Sequence, residues 1–180
     1  WQMRSIAKFY LDDYSGAEQD ATEALNLNPY IPELYDLRGI NRIRQKNFEG
    51  AIADYGKALS FDPSNLNYRY NRAICRMENK EYERAQLELD TIIGRWSKYA
   101  NAYNVKAEVF MLQKDTVSAA EWLDKSIKVD PYNADAWMTR ASISLSRKEW
   151  KQSDTLLSKA IKLKPRMVTA YINRALARCN

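Results

Sequence analysis

Apolar residues along this chain fall into two kinds of helical stripe, separated by short polar breaks. In the stretch 31–45 they recur every three positions, which predicts one face of a helix, at Leu34, Leu37, Ile40 and Ile43. In the stretch 48–61 they follow the i, i+3, i+4, i+7 pattern of a second amphipathic helix, at Ala51, Ile52, Tyr55, Ala58 and Leu59. Pro63 ends this second helix because proline lacks an amide proton. The sequence therefore predicts a helical hairpin.

The hairpin pattern repeats with a fixed period of 34 residues. Prolines follow this period at Pro29, Pro63, Pro131 and Pro165, with Ser97 in the remaining place. Small residues follow it twice, at Ser5, Gly39, Ala73, Ala107, Ala141 and Ala175, and at Ala17, Ala51, Ala85, Ala119 and Ser153. A period of this length indicates an array of one structural unit, in which small residues let two helices approach closely.

The repeated positions resemble the tetratricopeptide repeat family over the whole chain. One repeat reads Tyr35-x2-Arg38-Gly39, Phe48-x2-Ala51, Tyr55-x2-Ala58 and Pro63; another reads Trp137-x2-Arg140-Ala141 with Trp150, Ala160 and Pro165. The resemblance implies an all-α, right-handed superhelical solenoid of antiparallel helix pairs, with about eleven helices. It also implies a non-catalytic scaffold that binds a peptide or protein segment in a concave groove.

The period divides the chain into a single array over residues 1–180. Residues 1–31 form a partial repeat, followed by full repeats at 32–65, 66–99, 100–133 and 134–167 and by the first helix of a further, truncated repeat at 168–180. This last helix has no second helix to cover it. We expect the natural protein to continue; the alternatives are that the helix caps the array or pairs with another copy.

Two repeats depart from the pattern. Gly94 to Ser97 stand where the pattern has proline, which predicts an irregular or longer junction. This departure is either drift of the repeat sequence or a bend or partner site around Trp96 and Tyr99. Thr116 replaces an aromatic residue, so the helix that follows is expected to start less firmly.

Residues suited to catalysis or cofactor binding are scarce. The chain has no histidine, which removes the commonest general base and metal ligand. Cys75 and Cys179 lie three repeats apart and are expected to be free thiols. No glycine-rich phosphate loop occurs, and no apolar run approaches the roughly 20 residues that span a bilayer. We predict no catalytic residue, cofactor or metal and no membrane span; the compartment is unknown, with a soluble, cytoplasmic protein slightly favoured.

The resemblance places the ligand groove on first-helix residues that lie off the packing stripe. These are Asp36, Ile40, Arg44, Tyr70, Asn71, Ile74, Met77, Asn101, Asn104, Glu108, Met111, Met138, Ser142, Leu145, Asn173 and Leu176. Methionine adapts its shape and asparagine both donates and accepts, so this face suits a peptide backbone. The apolar members have an alternative role in completing the core. Companion residues for gripping the carboxylate tails of chaperones are absent around Asn71 and Asn173.

Positive charge is concentrated at one end of a chain of formal net charge +5. Residues 147–180 carry nine Lys/Arg against two Asp/Glu. This segment offers an alternative function, binding of nucleic acid or of an acidic partner, although solubilising lysines are the simpler explanation and nucleic acid is disfavoured. Self-association through the terminal helices is a third possibility, giving a monomer or a weak homodimer.

A cationic ladder also follows the period, at Arg4, Arg38, Arg72, Lys106, Arg140 and Arg174. Acidic residues on the second helices share it at Asp20, Asp54 and Glu88, whereas Trp122 and Leu156 interrupt it. We predict that these cations pair with carboxylates of second helices in the same or the preceding repeat, and that they hold the fold rather than a ligand.

Overall fold

The computed structural model describes residues 1–179, which form eleven α-helices and no strand. The helices are α1 Gln2–Tyr10, α2 Tyr14–Leu27, α3 Pro32–Arg44, α4 Phe48–Phe61, α5 Leu66–Glu78, α6 Tyr82–Arg95, α7 Ala100–Leu112, α8 Thr116–Val129, α9 Ala134–Ser146, α10 Trp150–Leu163 and α11 Val168–Cys179. The prediction of an all-α helical solenoid with about eleven helices is confirmed. Its division into individual repeats stays a prediction.

The chain forms two compact units. The first spans Trp1–Ile92 and contains α1 to most of α6, and the second begins at Ile93 and contains α7 to α11. Within each unit, successive helices pack against each other across three-residue or four-residue turns, which makes neighbours antiparallel. First helices also touch one another, α1 with α3 and α9 with α11. No helix within residues 1–179 combines the length and the apolar character needed to cross a membrane.

The turn inside each hairpin contains a residue in the left-handed helical region. Its φ angle is between 60° and 64° at Asp12, Lys46, Lys80, Lys114 and Lys148. Glycine usually occupies this position because a Cβ atom is unfavourable there. The polar break predicted between the stripes at 31–45 and 48–61 is confirmed, but the strained backbone at the lysines was not foreseen.

Side-chain caps fix where the second helices begin. Asn47 Oδ1 accepts from the Gly50 amide at 3.0 Å, and Asp115 Oδ1 accepts from the Ser118 amide at 3.0 Å. The second contact explains why α8 starts at Thr116 like its counterparts, so the expectation of a weak start there is wrong.

The junction after α6 is regular in length. Residues 96–99 separate α6 from α7, and four residues also separate α4 from α5 and α8 from α9. The expected longer junction is therefore wrong, because the helices on both sides keep their usual lengths without the proline. The boundary between the compact units lies nearby, between Ile92 and Ile93.

Small residues bring the paired helices together as predicted. Ala51 and Ala73 are fully buried. A Cβ added to Gly39 would lie 3.1 Å from the Tyr55 ring, which leaves little room for a larger residue. Ser153 takes the place of alanine in the second series of small residues. Its hydroxyl donates to the Ala141 carbonyl at 3.2 Å, so the buried polar group has a partner.

The cationic ladder is structural, as predicted. Arg4 Nη2 lies 2.6 Å from Asp20 Oδ1, and Arg38 Nη2 lies 2.6 Å from Asp54 Oδ1. Arg72 pairs with Glu88 in the same way. These partners belong to the same hairpin. The hydrogen bond from Arg4 holds the pKa of Asp20 down at about 2.

Where the second helix lacks the acidic residue, the cation of the first helix contacts another partner. Lys106 is buried, and its Nζ lies 4.1 Å from the centre of the Trp122 ring, which occupies the position of the missing carboxylate. Arg140 turns to the preceding hairpin, where its Nε donates to Asp124 Oδ1 at 3.0 Å. Both same-repeat and preceding-repeat pairing therefore occur.

Candidate functional site

In the first unit, two predicted groove residues, Asp36 and Asn71, lie beside a buried hydroxyl. Tyr55 on α4 is fully buried, and Asn71 Nδ2 on α5 donates to its hydroxyl oxygen at 3.4 Å. Asp36 on α3 lies beside both residues, and its Oδ1 is buried without a hydrogen-bond partner among the described residues. Burial raises the pKa of Asp36 above its usual range, while the contacts with Tyr55 and Asn71 act in the opposite direction.

The Tyr55 hydroxyl is the feature of this cluster that sequence reasoning missed. Positions 34 and 68 residues later hold Leu89 and Leu123, so a tyrosine in this register adds a polar atom beneath the first-helix surface. A tyrosine at a position that later repeats fill with leucine was the sequence feature that could have identified this hydroxyl. Burial also raises the pKa of Tyr55, so this hydroxyl stays protonated and can donate a hydrogen bond.

In the second unit, helices α7, α8 and α9 line an open cavity of about 380 Å³, called here the α7–α9 cavity. It is lined by Asn104, Glu108, Met111, Leu123, Asn133, Asp135, Ala136 and Thr139. Three of these, Asn104, Glu108 and Met111, are predicted groove residues. The others come from α8, from the turn before α9 and from the first turns of α9. Asp135 lies one period after Asn101, so the repeat would have identified it.

Asn104 has the same repeat position as Asp36, two periods later. Its Oδ1 is also buried without a hydrogen-bond partner among residues 1–179. Each unit thus places an unsatisfied acceptor at this register on a first helix. Unsatisfied buried acceptors are costly, so they indicate a place where a donor can bind.

The remaining predicted groove residues are spread over both units. Half-buried members are Ile40, Tyr70, Ile74, Met138, Leu145 and Asn173, and exposed ones are Arg44, Asn101, Ser142 and Leu176. Met77 is only 3% exposed, so a ligand cannot reach it and its assignment to the groove is corrected to the core. Ser142 donates its hydroxyl to the Met138 carbonyl at 3.1 Å, which leaves only its oxygen lone pairs for a ligand.

A family model of the tetratricopeptide repeat matches residues 42–109. Residues 42–109 therefore contain the tetratricopeptide repeat. The match covers α4 to α6 with parts of α3 and α7, and the same 34-residue register continues on both sides. No curated protein sequence matches the chain significantly.

Solved structures of tetratricopeptide-repeat proteins share the fold. MamA from Desulfovibrio magneticus RS-1 superposes with a TM-score of 0.79 at 16% identity, covering 93% of this chain and 94% of its own. A repeat protein from Parabacteroides merdae gives 0.78 at 23% identity, covering 98% and 70%. YrrB, described as having an unusual peptide-binding site, gives 0.71 at 16% identity, covering 97% and 90%.

The basic end of the repeats contains a second cavity that the sequence did not reveal. About 330 Å³ in volume, it is lined by Pro131, Tyr132, Trp137, Lys159, Lys162 and Leu163. The lysines are distant in sequence from the two aromatic residues, but α9 and α10 pack together and bring them to one place. Two aromatic rings therefore lie beside these lysines.

Proposed function

We propose that these repeats bind a peptide or protein segment on their first-helix surface and that the chain acts as a non-catalytic scaffold. Proteins with this repeat serve in protein–protein interaction, and the peptide-binding site described for YrrB supports the same use of the fold. The finer proposal is that the predicted groove positions contact the ligand.

The α7–α9 cavity carries this proposal. Asn104 supplies a buried acceptor, and Met111 and Leu123 supply apolar surface beside it. A ligand that donates a hydrogen bond to Asn104 Oδ1 and covers the apolar side chains gains binding free energy from both contacts. Small-molecule and side-chain pockets typically combine a few polar groups with an apolar lining in this way.

A selection from a random peptide display library tests the proposal. The bait is the 180-residue protein, and the comparison is a variant carrying Asn104→Ala and Met111→Ala. The matched control is Lys128→Ala, an exposed residue of α8 outside the cavity. We expect peptides that bind the native protein and the control but lose at least tenfold in affinity for the double variant. Equal binding to all three proteins would refute the groove.

The second cavity favours a second candidate function, binding of an acidic segment at the basic end. Trp137 and Tyr132 offer stacking surface, and Lys159 and Lys162 offer positive charge. Replacing both lysines with alanine should abolish salt-sensitive binding to an acidic peptide. If the same replacement affects only nucleic acid binding, the ligand is a polyanion of that class.

The outer face of α11 supports self-association as a further candidate. Ile172 is 63% exposed and Leu176 is 50% exposed, so this helix presents apolar surface to solvent. Sedimentation equilibrium over a hundredfold concentration range tests this, with Leu176→Asp as the comparison. A mass that stays constant with concentration would exclude it.

A further inference from the structure

The polar groups that line the α7–α9 cavity are mostly acceptors. Glu108 and Asp135 contribute carboxylates, which accept hydrogen bonds when ionised. Asn104 contributes an Oδ1 without a partner among the described residues. Thr139 donates its hydroxyl proton to the Asp135 carbonyl at 2.9 Å, so only its lone pairs remain. The carboxylates and these oxygen atoms therefore favour a ligand that brings donors.

The charge of the cavity points the same way. None of its eight lining residues is a lysine or arginine, and two are acidic. Lys164 lies beside one of these acidic residues, with its Nζ 3.4 Å from Asp135 Oδ1. Both side chains of this pair are more than half exposed, at 58% and 68%, so the contact is weak and easily exchanged.

The rest of the lining is apolar. Met111, Leu123 and Ala136 provide a surface without donors or acceptors in their side chains. A lysine or arginine side chain matches such a cavity, since its aliphatic stem packs on apolar surface while its charged end reaches polar groups. A carboxylate or phosphate would instead meet two like charges.

We propose that the α7–α9 cavity takes a lysine or arginine side chain of the bound peptide. The cationic group would donate to Asn104 Oδ1 and to the carboxylates of Glu108 and Asp135, and the stem would cover Met111 and Leu123. This inference rests on the proposed peptide-binding function and specifies its ligand as a basic segment. The cavity thus differs in sign from the lysine-lined cavity between α9 and α10.

The direct test uses a minimal probe, N-acetyl-lysine-N-methylamide, titrated into the isotopically labelled protein and followed by NMR at the Asn104 side-chain amide. The uncharged comparison is the norleucine derivative, which keeps the stem and removes the ammonium group. We expect saturable shifts with the lysine probe and at least tenfold weaker binding of the norleucine probe. Equal binding of both, or no shift with either, would overturn the proposal.

Three variants of residues at the cavity and one control variant locate the effect. Glu108→Gln and Asp135→Asn should each weaken the lysine probe by about fivefold, the scale of a partly exposed charge-assisted hydrogen bond. Lys164→Gln should strengthen it by about twofold, because the internal competitor for Asp135 is removed. Glu121→Gln, an exposed residue of α8 that does not line the cavity, should change nothing. Unchanged binding in both acidic-residue variants, with their thermal melting intact, would refute the assignment.

The peptide selection separates this inference from the proposed function. If selected peptides depend on Asn104 and Met111 but show no enrichment in lysine or arginine, the groove stands and the basic specificity is wrong. If no peptide is selected while the lysine probe still binds, the cavity assignment stands and the peptide-binding function is wrong.

Discussion

The buried pairing at Asp54 predicts a large and specific loss of stability when this carboxylate is removed. Its side chain is only 3% exposed and receives Arg38 Nη2 at 2.6 Å and Arg42 Nη1 at 2.8 Å. Deleting one partner of a buried ion pair costs about 3–5 kcal/mol because the other charge is left unpaired. Arg38 and Arg42 are 17% and 19% exposed, so water partly compensates them. We therefore expect about 2–3 kcal/mol for Asp54→Ala.

Asp124 provides the matched comparison. It also accepts from a ladder arginine, Arg140 Nε at 3.0 Å, but its side chain is 51% exposed. Arg140 keeps a second contact, since its Nη1 donates to Ser144 Oγ at 2.8 Å. Asp124→Ala should cost less than about 1 kcal/mol. Both aspartates accept from arginine, but Asp54 is buried between two arginines, whereas Asp124 is half-exposed beside one.

Hydrogen exchange read by mass spectrometry suits the assay, since it reports the two compact units separately. Asp54→Ala should speed exchange in peptides of α3 and α4, and Asp124→Ala should leave α8 and α9 nearly unchanged. A double-mutant cycle with Arg38→Met, which keeps much of the side-chain volume, measures the coupling. Equal losses for both aspartates would refute the argument from burial.

Four further outcomes follow from the structure. Lys46→Gly should stabilise by about 0.5 kcal/mol in urea unfolding, because glycine relieves the left-handed backbone at φ 61°; the helical control Ala53→Gly should lose about 1 kcal/mol. The pKa of Asp20 is about 2, below its usual value, so the ionised carboxylate stabilises the fold fully above about pH 4 and progressively less as the pH falls towards 2. Acid unfolding of the wild type compared with Asp20→Asn measures this loss. Asp36→Asn should raise the melting temperature, because it removes a desolvated carboxylate. Leu157→Ala, at a fully buried position, should cost about 2–5 kcal/mol in calorimetry.

The fold followed from the sequence because one period controls several independent features. Prolines, small residues and the cationic ladder all keep the same register, so a departure at one position does not change the helix boundaries that the other positions predict. The wrong expectations, at Ser97 and Thr116, came from judging a junction by one residue type. Asp115 caps α8 whatever follows it, and the junction after α6 keeps its length without proline.

The ladder shows which contacts a period can reveal and which it cannot. Pairing at Arg38 and Arg72 follows from charge and spacing. The interaction of Lys106 with the Trp122 ring does not, because it replaces a carboxylate by an aromatic residue that attracts the same cation by a different mechanism. A second row of cations was missed, although Lys8, Arg42 and Arg76 also lie 34 residues apart and contact the same carboxylates.

The candidate site was harder to predict because its residues come from different positions of the repeat. Asn104, Glu108 and Met111 were expected from the first helix, but Leu123 belongs to a second helix and Asn133 to the turn before α9. Only the packing of α7, α8 and α9 shows that they share one cavity.

Net charge is a poor guide to the partner of this protein, because the second unit holds two cavities of opposite character. The formal charge of +5 and the lysines of α10 suggest an acidic ligand. Yet the α7–α9 cavity contains two carboxylates and an unsatisfied carbonyl oxygen, whereas Lys159 and Lys162 line the cavity beside Trp137. A peptide with a basic residue near one end and acidic residues near the other would satisfy both surfaces, and reversing that order would place like charges together.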